Sequence, residues 1–193
     1  VPSSARLPIS RMRTVIFALI PAILVSAWFY GPGIFFNIAV AIVVALGTEA
    51  VALRLRGKPV LATLGDGSAI VAALLFAFSL PPLCPWWVTA SGMVFAIGLV
   101  KHAYGGLGYN LFNPAMAGYV LVLVSFPSLM TGWPEADIGD LDYQRPGIAA
   151  TLQYGLTGQF PDALTLDAVT RATVLDRVRE GLGDTIRMSF ERS

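Results

Sequence analysis

Charge is scarce in this chain: Lys, Arg, Asp and Glu make up 13% of its 193 residues, against about 25% in a soluble globular domain. With 55% hydrophobic residues and a mean hydropathy of +0.69, that scarcity excludes a soluble enzyme and a disordered tail. Cysteine and histidine are scarcer still, one of each, Cys84 and His102. They leave no CxxC pair and no Cys/His cluster, so a zinc site, a self-contained Fe–S site or a bis-His haem lacks ligands. Redox chemistry here therefore calls for an organic cofactor. Gln/Asn-rich and Ser-rich tracts and repeats of about 20 to 50 residues are also missing, and nothing points to a nucleic-acid partner.

What is present is apolar and lopsided in charge. Residues 1–130 hold seven basic residues against two acidic ones, and residues 131–193 hold six against ten. The sign changes where the apolar sequence ends. The pattern predicts an all-α polytopic membrane half over 1–130, followed by a polar extramembranous segment over 131–193.

Thr14 to Tyr30 and Ile34 to Leu53 are apolar runs of 17 and 20 residues, separated by Gly31-Pro32-Gly33, and read as a helical hairpin. Ser68 to Leu80, Trp86 to Val100 and Ala115 to Met130 follow. The Ser68 run has only 13 residues, a length that suits a re-entrant or broken helix as well as a crossing. A basic start followed by an apolar run also fits a signal peptide, but no A-x-A-like exit follows and a second run comes at once.

Five crossings put Arg6, Arg11, Arg13, Arg54, Arg56, Lys58 and Lys101 on one side, which the retention of Lys and Arg in cytoplasmic loops makes the inner one. Trp28, Trp86, Trp87 and Trp133 then mark the outer interface, where Glu135, Asp137, Asp140 and Asp142 also fall. The N-terminus is thus expected to be cytoplasmic, and residues 131–193 extracytoplasmic.

Polar residues at membrane depth are the candidates for chemistry. Asp66, between Gly65 and Gly67, suits an ion path or, more simply, a cap on the helix from Ser68. Glu49 is the one acid inside an apolar run, either a functional carboxylate or half of an interfacial ion pair with Arg54. Lys101 and His102 read as an inner-edge anchor, and Cys84 as a small filler among prolines. Asn113 before Pro114 is a helix start. Three glycines, Tyr109 and Asn110 just before it suggest a ligand or a tight helix crossing, because irregular backbone survives in a membrane only where protein buries it or it lines a cavity. Further on, Thr170 is a good N-cap for a short amphipathic helix with Val174, Val178 and Leu182 on one face. A phosphate ester on Thr173 would sit in the positive field of that helix start, within reach of Arg171. As a bare pattern, however, it reads first as an ordinary capped helix.

The string GGLGYNLFNPAMAGYVLVLVSFP, followed by an acidic stretch and then DAVTRAT, resembles the D subunit of the Rnf electron-transport complex. It is also similar to the B subunit of the Na⁺-translocating NADH:quinone reductase. The resemblance implies a subunit of an ion-translocating ferredoxin/NADH oxidoreductase in a bacterial inner membrane. Electrons would pass through partner Fe–S and flavin subunits, coupled to Na⁺ or H⁺ movement. It further implies FMN joined through a phosphoester to the threonine closing a D-x-x-[ST]-G-A-T pattern, attached by a flavin transferase on the outer face. Thr173 matches that threonine, with Asp167, Thr170 and Ala172 at other pattern positions; Arg171 stands where glycine is usual. The resemblance leaves room for a second, non-covalent flavin such as riboflavin near Asn110 and Asn113. Its chains are nearly twice as long, with two related membrane halves, so the second half is not expected in this sequence. The membrane half by itself would also suit a passive channel or solute transporter with a broken-helix site.

Overall fold

The computed structural model describes residues 3–103, 110, 112–134 and 146–160. Every regular element among them is helical: α1 Ser3–Tyr30, α2 Gly33–Leu55, α3 Val60–Leu64, α4 Ser68–Ser79, α5 Trp86–Val94, which continues as a π-helical segment Phe95–Lys101, α6 Pro114–Ser125, α7 Pro127–Thr131 and α8 Ile148–Thr157. Ser10–Tyr30 and Gly33–Leu55 are long and apolar enough to cross a membrane, and Ser68–Ser79, Trp86–Lys101 and Pro114–Ser125 are shorter apolar helices. The described part of the chain is thus all-helical, and its apolar helices have the make-up of an integral membrane protein. The apolar run expected over Ala115 to Met130 breaks into α6 and α7 at Phe126–Pro127, because Pro127 has no N–H to continue the α6 ladder.

Gly31 makes the α1–α2 turn with φ +94°, a conformation that costs a side chain dearly but glycine little. The two helices then diverge in burial. Among the described side chains of α1 only Ile23 is buried, whereas α2 buries Asn37, Ala41, Ala45, Glu49 and Leu53, a four-residue spacing that lines one helix face. Opposite them α4 presents Ala69, Ala73 and Ala77 at the same spacing, and Gly92, Ala96, Ala115 and Gly118 bring α5, the π-helical segment and α6 into the same core. Small residues let backbones approach until dispersion contacts hold the helices together, which is how helices associate in lipid. Phe76 fills the centre, with no exposed surface.

This packing gives the bundle two ends. At one, the Arg56 guanidinium donates to the carbonyl of His102 (2.6 Å), and α4 begins beside Lys101. At the other, Tyr30 meets Trp133 edge-on (5.7 Å) and Trp87 meets Phe126 (5.2 Å). There too Asn37 Nδ2 donates to the carbonyl of Pro81 (2.8 Å). α4 therefore runs from the basic end to the tryptophan end. α8 lies across the tryptophan end, with Thr151 beside Gly33 and Phe36 against Gly155. The sequence reading did not foresee α8. Its signals are Gly147 before it, Gly158 closing it at φ +73°, and Thr151, Tyr154 and Gly155 buried on one face.

Candidate functional site

Glu49 is not an interfacial partner of Arg54. Five residues along an α-helix turn the chain by about 140° beyond a full turn, so Arg54 faces outward while Glu49, 1% exposed, faces the core. Its partner comes from 52 residues away: Lys101 Nζ donates to Glu49 Oε1 at 2.5 Å and to Ser68 Oγ at 2.7 Å. Lys101 is 3% exposed and His102 7%, so the anchor expected at the membrane edge is instead turned inward. His102 Nε2 stands 3.6 Å from Glu49 Oε1. Among the described residues, Glu49 Oε2 and both ring nitrogens of His102 have no hydrogen-bond partner.

Three elements converge to make this cluster. The α2 stripe carries Glu49, the first residue of α4 is Ser68, and the π-helical segment ends on Lys101. Gly67, at φ +78°, and Asp66 shape the start of α4, where Asp66 Oδ1 accepts from the Ser68 N–H at 2.7 Å. Asp66, just ahead of Gly67 at the N-cap, thus satisfies one N–H of the helix start, which leaves the Ser68 hydroxyl for Lys101. Sequence reasoning had Glu49 and Lys101 as separate features; the four-residue stripe through Asn37 and Glu49 was the signal that places Glu49 inward.

The helix start at Pro114 forms as its sequence suggests: Asn113 Oδ1 accepts from the Ala115 N–H at 3.0 Å. Asn110 Nδ2 donates to the carbonyl of Phe112 at 2.9 Å, a local turn that spends the amide on backbone. Beside them Phe95, Phe112, Met116, Val120 and Val124 line an open apolar crevice of about 540 Å³. Asn113 borders it, and the glycines at 105, 106 and 108 lie outside the described residues. Asp167, Thr170, Arg171 and Thr173 also lie outside them.

Cys84 is buried and free in the loop between α4 and α5, as a filler should be. Burial pushes its thiol up to about 12, against a smaller downward pull from the Thr89 side chain. Because the thiolate is the nucleophile, native protein is expected to resist iodoacetamide at about pH 8, where an ordinary thiol reacts. Full labelling should follow denaturation; labelling of the folded protein with a midpoint near about 8.5 would contradict this burial.

A family model described as the NQR2, RnfD, RnfE family matches residues 5–192. The D subunit of the ion-translocating oxidoreductase complex of Aeromonas hydrophila is 48% identical over 176 residues, covering 89% of this chain and 50% of the relative. Its counterpart of the same name in Shewanella amazonensis is 47% identical over 186 residues, covering 94% and 53%. That of Escherichia fergusonii is 43% identical over 179 residues, covering 89% and 50%. The chain spans about half the length of the curated relatives it matches.

Proposed function

The chain belongs to the NQR2, RnfD, RnfE family, and from that premise we propose that it is a membrane subunit of an ion-translocating electron-transport complex that carries FMN covalently on Thr173. The observation that carries the proposal is the extent of the family match, which runs to residue 192 and so takes in the DAVTRAT segment. Bound there, FMN supplies the electron chemistry. The protein's part is to hold it: the Thr173 hydroxyl oxygen forms the phosphoester, Thr170 caps the helix start, and Arg171 offers a charge to the remaining phosphate oxygens. Asp167 belongs to the sequence that the transferase reads. A covalent tether keeps the flavin at its station on a face where a dissociated one would be diluted away. Flavin fluorescence that persists on a denaturing gel is the test, and it separates this reading from a passive channel.

Electrons arrive from Fe–S and flavin subunits of the same complex, and the energy is coupled to Na⁺ or H⁺ movement across five membrane crossings. Asn113, at the apolar crevice, and Asn110, bonded to the carbonyl of Phe112 on its lining, are the residues a second, non-covalent flavin such as riboflavin would meet.

The cytoplasmic side is the basic end, where Arg56 and Lys58 lie near His102, and Thr173 works on the opposite side. Two features support this orientation. Trp28, Trp86, Trp87 and Trp133 are all at least 38% exposed, as an interfacial belt requires. Phe160 stacks on Tyr154 (4.3 Å) at the tryptophan end, thirteen residues ahead of Thr173 in sequence. In intact cells Gly139→Cys is expected to react with a membrane-impermeant maleimide and Lys58→Cys to react only after permeabilisation. The reverse pattern would invert the topology.

A further inference from the structure

We propose that α8 lies flat in the membrane interface at the tryptophan end, and that its leucine side and the outward face of α2 together seat a phospholipid acyl chain. The proposal rests on the membrane reading above and concerns a surface to which that reading gives no role.

α8 has three sides, each suited to different surroundings. Ile148, Leu152 and Leu156, at four-residue spacing, fall within an arc of about 80°, and they are 67%, 43% and 60% exposed. Thr151, Tyr154 and Gly155 are turned toward the protein and buried, with Tyr154 packed against Leu83 and Phe160. Gln153 and Thr157 lie about 140° and 180° round from Ile148. Both are exposed, and the Thr157 hydroxyl donates to the Gln153 carbonyl (2.8 Å). Residues 146–160 hold no Lys, Arg, Asp or Glu. A helix with water on both free sides is expected to carry charge opposite its packed face, whereas a bare leucine side calls for an apolar neighbour.

The groove beside that stripe identifies the neighbour. Ile148 and Leu152 share with Phe35, Phe36 and Ala39 of α2 a groove of about 410 Å³, and none of its lining residues is charged. Phe35 and Ala39 open a second exposed stripe, which Val43, Gly47, Val51 and Leu55 continue at four-residue spacing down the whole of α2. Because α2 is long and apolar enough to cross a membrane, that stripe is a face for hydrocarbon, and the α8 leucines extend it at the tryptophan end. Trp86, Trp87 and Trp133 are exposed at the same end, and tryptophan rings favour the boundary between headgroups and chains. A helix lying flat at that depth sets its leucines among acyl chains and its Gln153 and Thr157 among headgroups. With no charge in the groove to hold a headgroup, the chain of the lipid is what it fits.

The test uses the full-length protein in its complex, in native membranes. A diazirine-bearing phenylalanine analogue is placed at Ile148, Leu152, Leu156, Gln153, Thr157 or Val43, one site at a time, and illuminated. The carbene joins whatever it touches, and mass spectrometry tells phospholipid from water and from protein. All six residues are exposed, so the analogue displaces no packed side chain, and each site is read independently of the others. Phospholipid adducts are expected to dominate at Ile148, Leu152, Leu156 and Val43, and water adducts at Gln153 and Thr157, so the lipid-to-water ratio inverts around α8. Crosslinks from the leucine side to another subunit or to a second copy of the chain overturn the lipid seat. So do lipid adducts at all six sites, or water adducts on the leucine side while Val43 takes lipid. Water adducts at Val43 overturn the crossing by α2 and the seat with it. Flavin fluorescence is read on a denaturing gel of the same membranes: its absence with the lipid adducts in place overturns the flavin reading alone, and its presence without them overturns the seat alone.

Discussion

Thr173→Ala is expected to abolish denaturation-resistant flavin fluorescence while the protein still inserts and folds. A phosphoester needs the side-chain oxygen, and alanine has none, so the loss is all-or-none and does not depend on an energetic margin. Thr173→Ser keeps a hydroxyl at the same atom and is expected to retain some covalent flavin. On the proposed reading Thr170→Ala removes only a helix cap, typically worth ~1 kcal/mol, and should leave fluorescence in place. The three variants together distinguish the attachment atom from its support. Fluorescence that survives in Thr173→Ala but disappears in Thr170→Ala moves the ester to Thr170. Wild-type protein without covalent flavin removes the cofactor from the proposal and returns the channel reading. Because the described helices all end before residue 160, the same melting temperature is expected for all three.

How much of this was legible in the sequence differs between elements and site. Helix boundaries follow from neighbouring residues alone: Gly31-Pro32-Gly33 ends α1 and opens α2, Pro81-Pro82 ends α4, and Asn113-Pro114 starts α6, each by a local rule about φ or a missing N–H. The break at Pro127 follows the same rule and was hidden only by the apolar residues on either side. The Glu49–Lys101 pair is different. Its partners are 52 residues apart, so no local rule joins them. Each also had a closer neighbour in sequence that gave a plausible but wrong account: Arg54 for Glu49 and the membrane edge for Lys101. The inward face of α2 was readable from Asn37, Ala41, Ala45, Glu49 and Leu53 at four-residue spacing. What that face meets is a tertiary fact. Thr173 lies at the other extreme, since only its resemblance to a flavin-bearing pattern raised it above an ordinary capped helix.

The glycines at the helix contacts set up the second large effect. An alanine Cβ at position 33 would overlap the carbonyl oxygen of Pro82 and lie 2.8 Å from its carbon. At position 118 it would lie 2.8 Å from the carbonyl oxygen of Gly92. Both obstacles are backbone, which cannot rotate aside like a side-chain tip, so whole helices must separate. Overpacking of this kind typically costs about 1–3 kcal/mol. At Gly33 the displacement also threatens the buried hydrogen bond from Asn37 to Pro81 and the contact of Thr151 with the start of α2. Those contacts seat α8 on the tryptophan end of the bundle. Gly47 is the control: it is in the same helix as Gly33, with nothing within 4 Å of its added Cβ, and alanine there removes only the helix cost of glycine, about 1 kcal/mol. Gly33→Ala and Gly118→Ala are therefore expected to lower the melting temperature in detergent clearly, and Gly47→Ala to hold or raise it. Equal melting temperatures for all three would mean that the close approach of α2 to the Pro81–Pro82 turn, and of α6 to α5, is not what holds this bundle together.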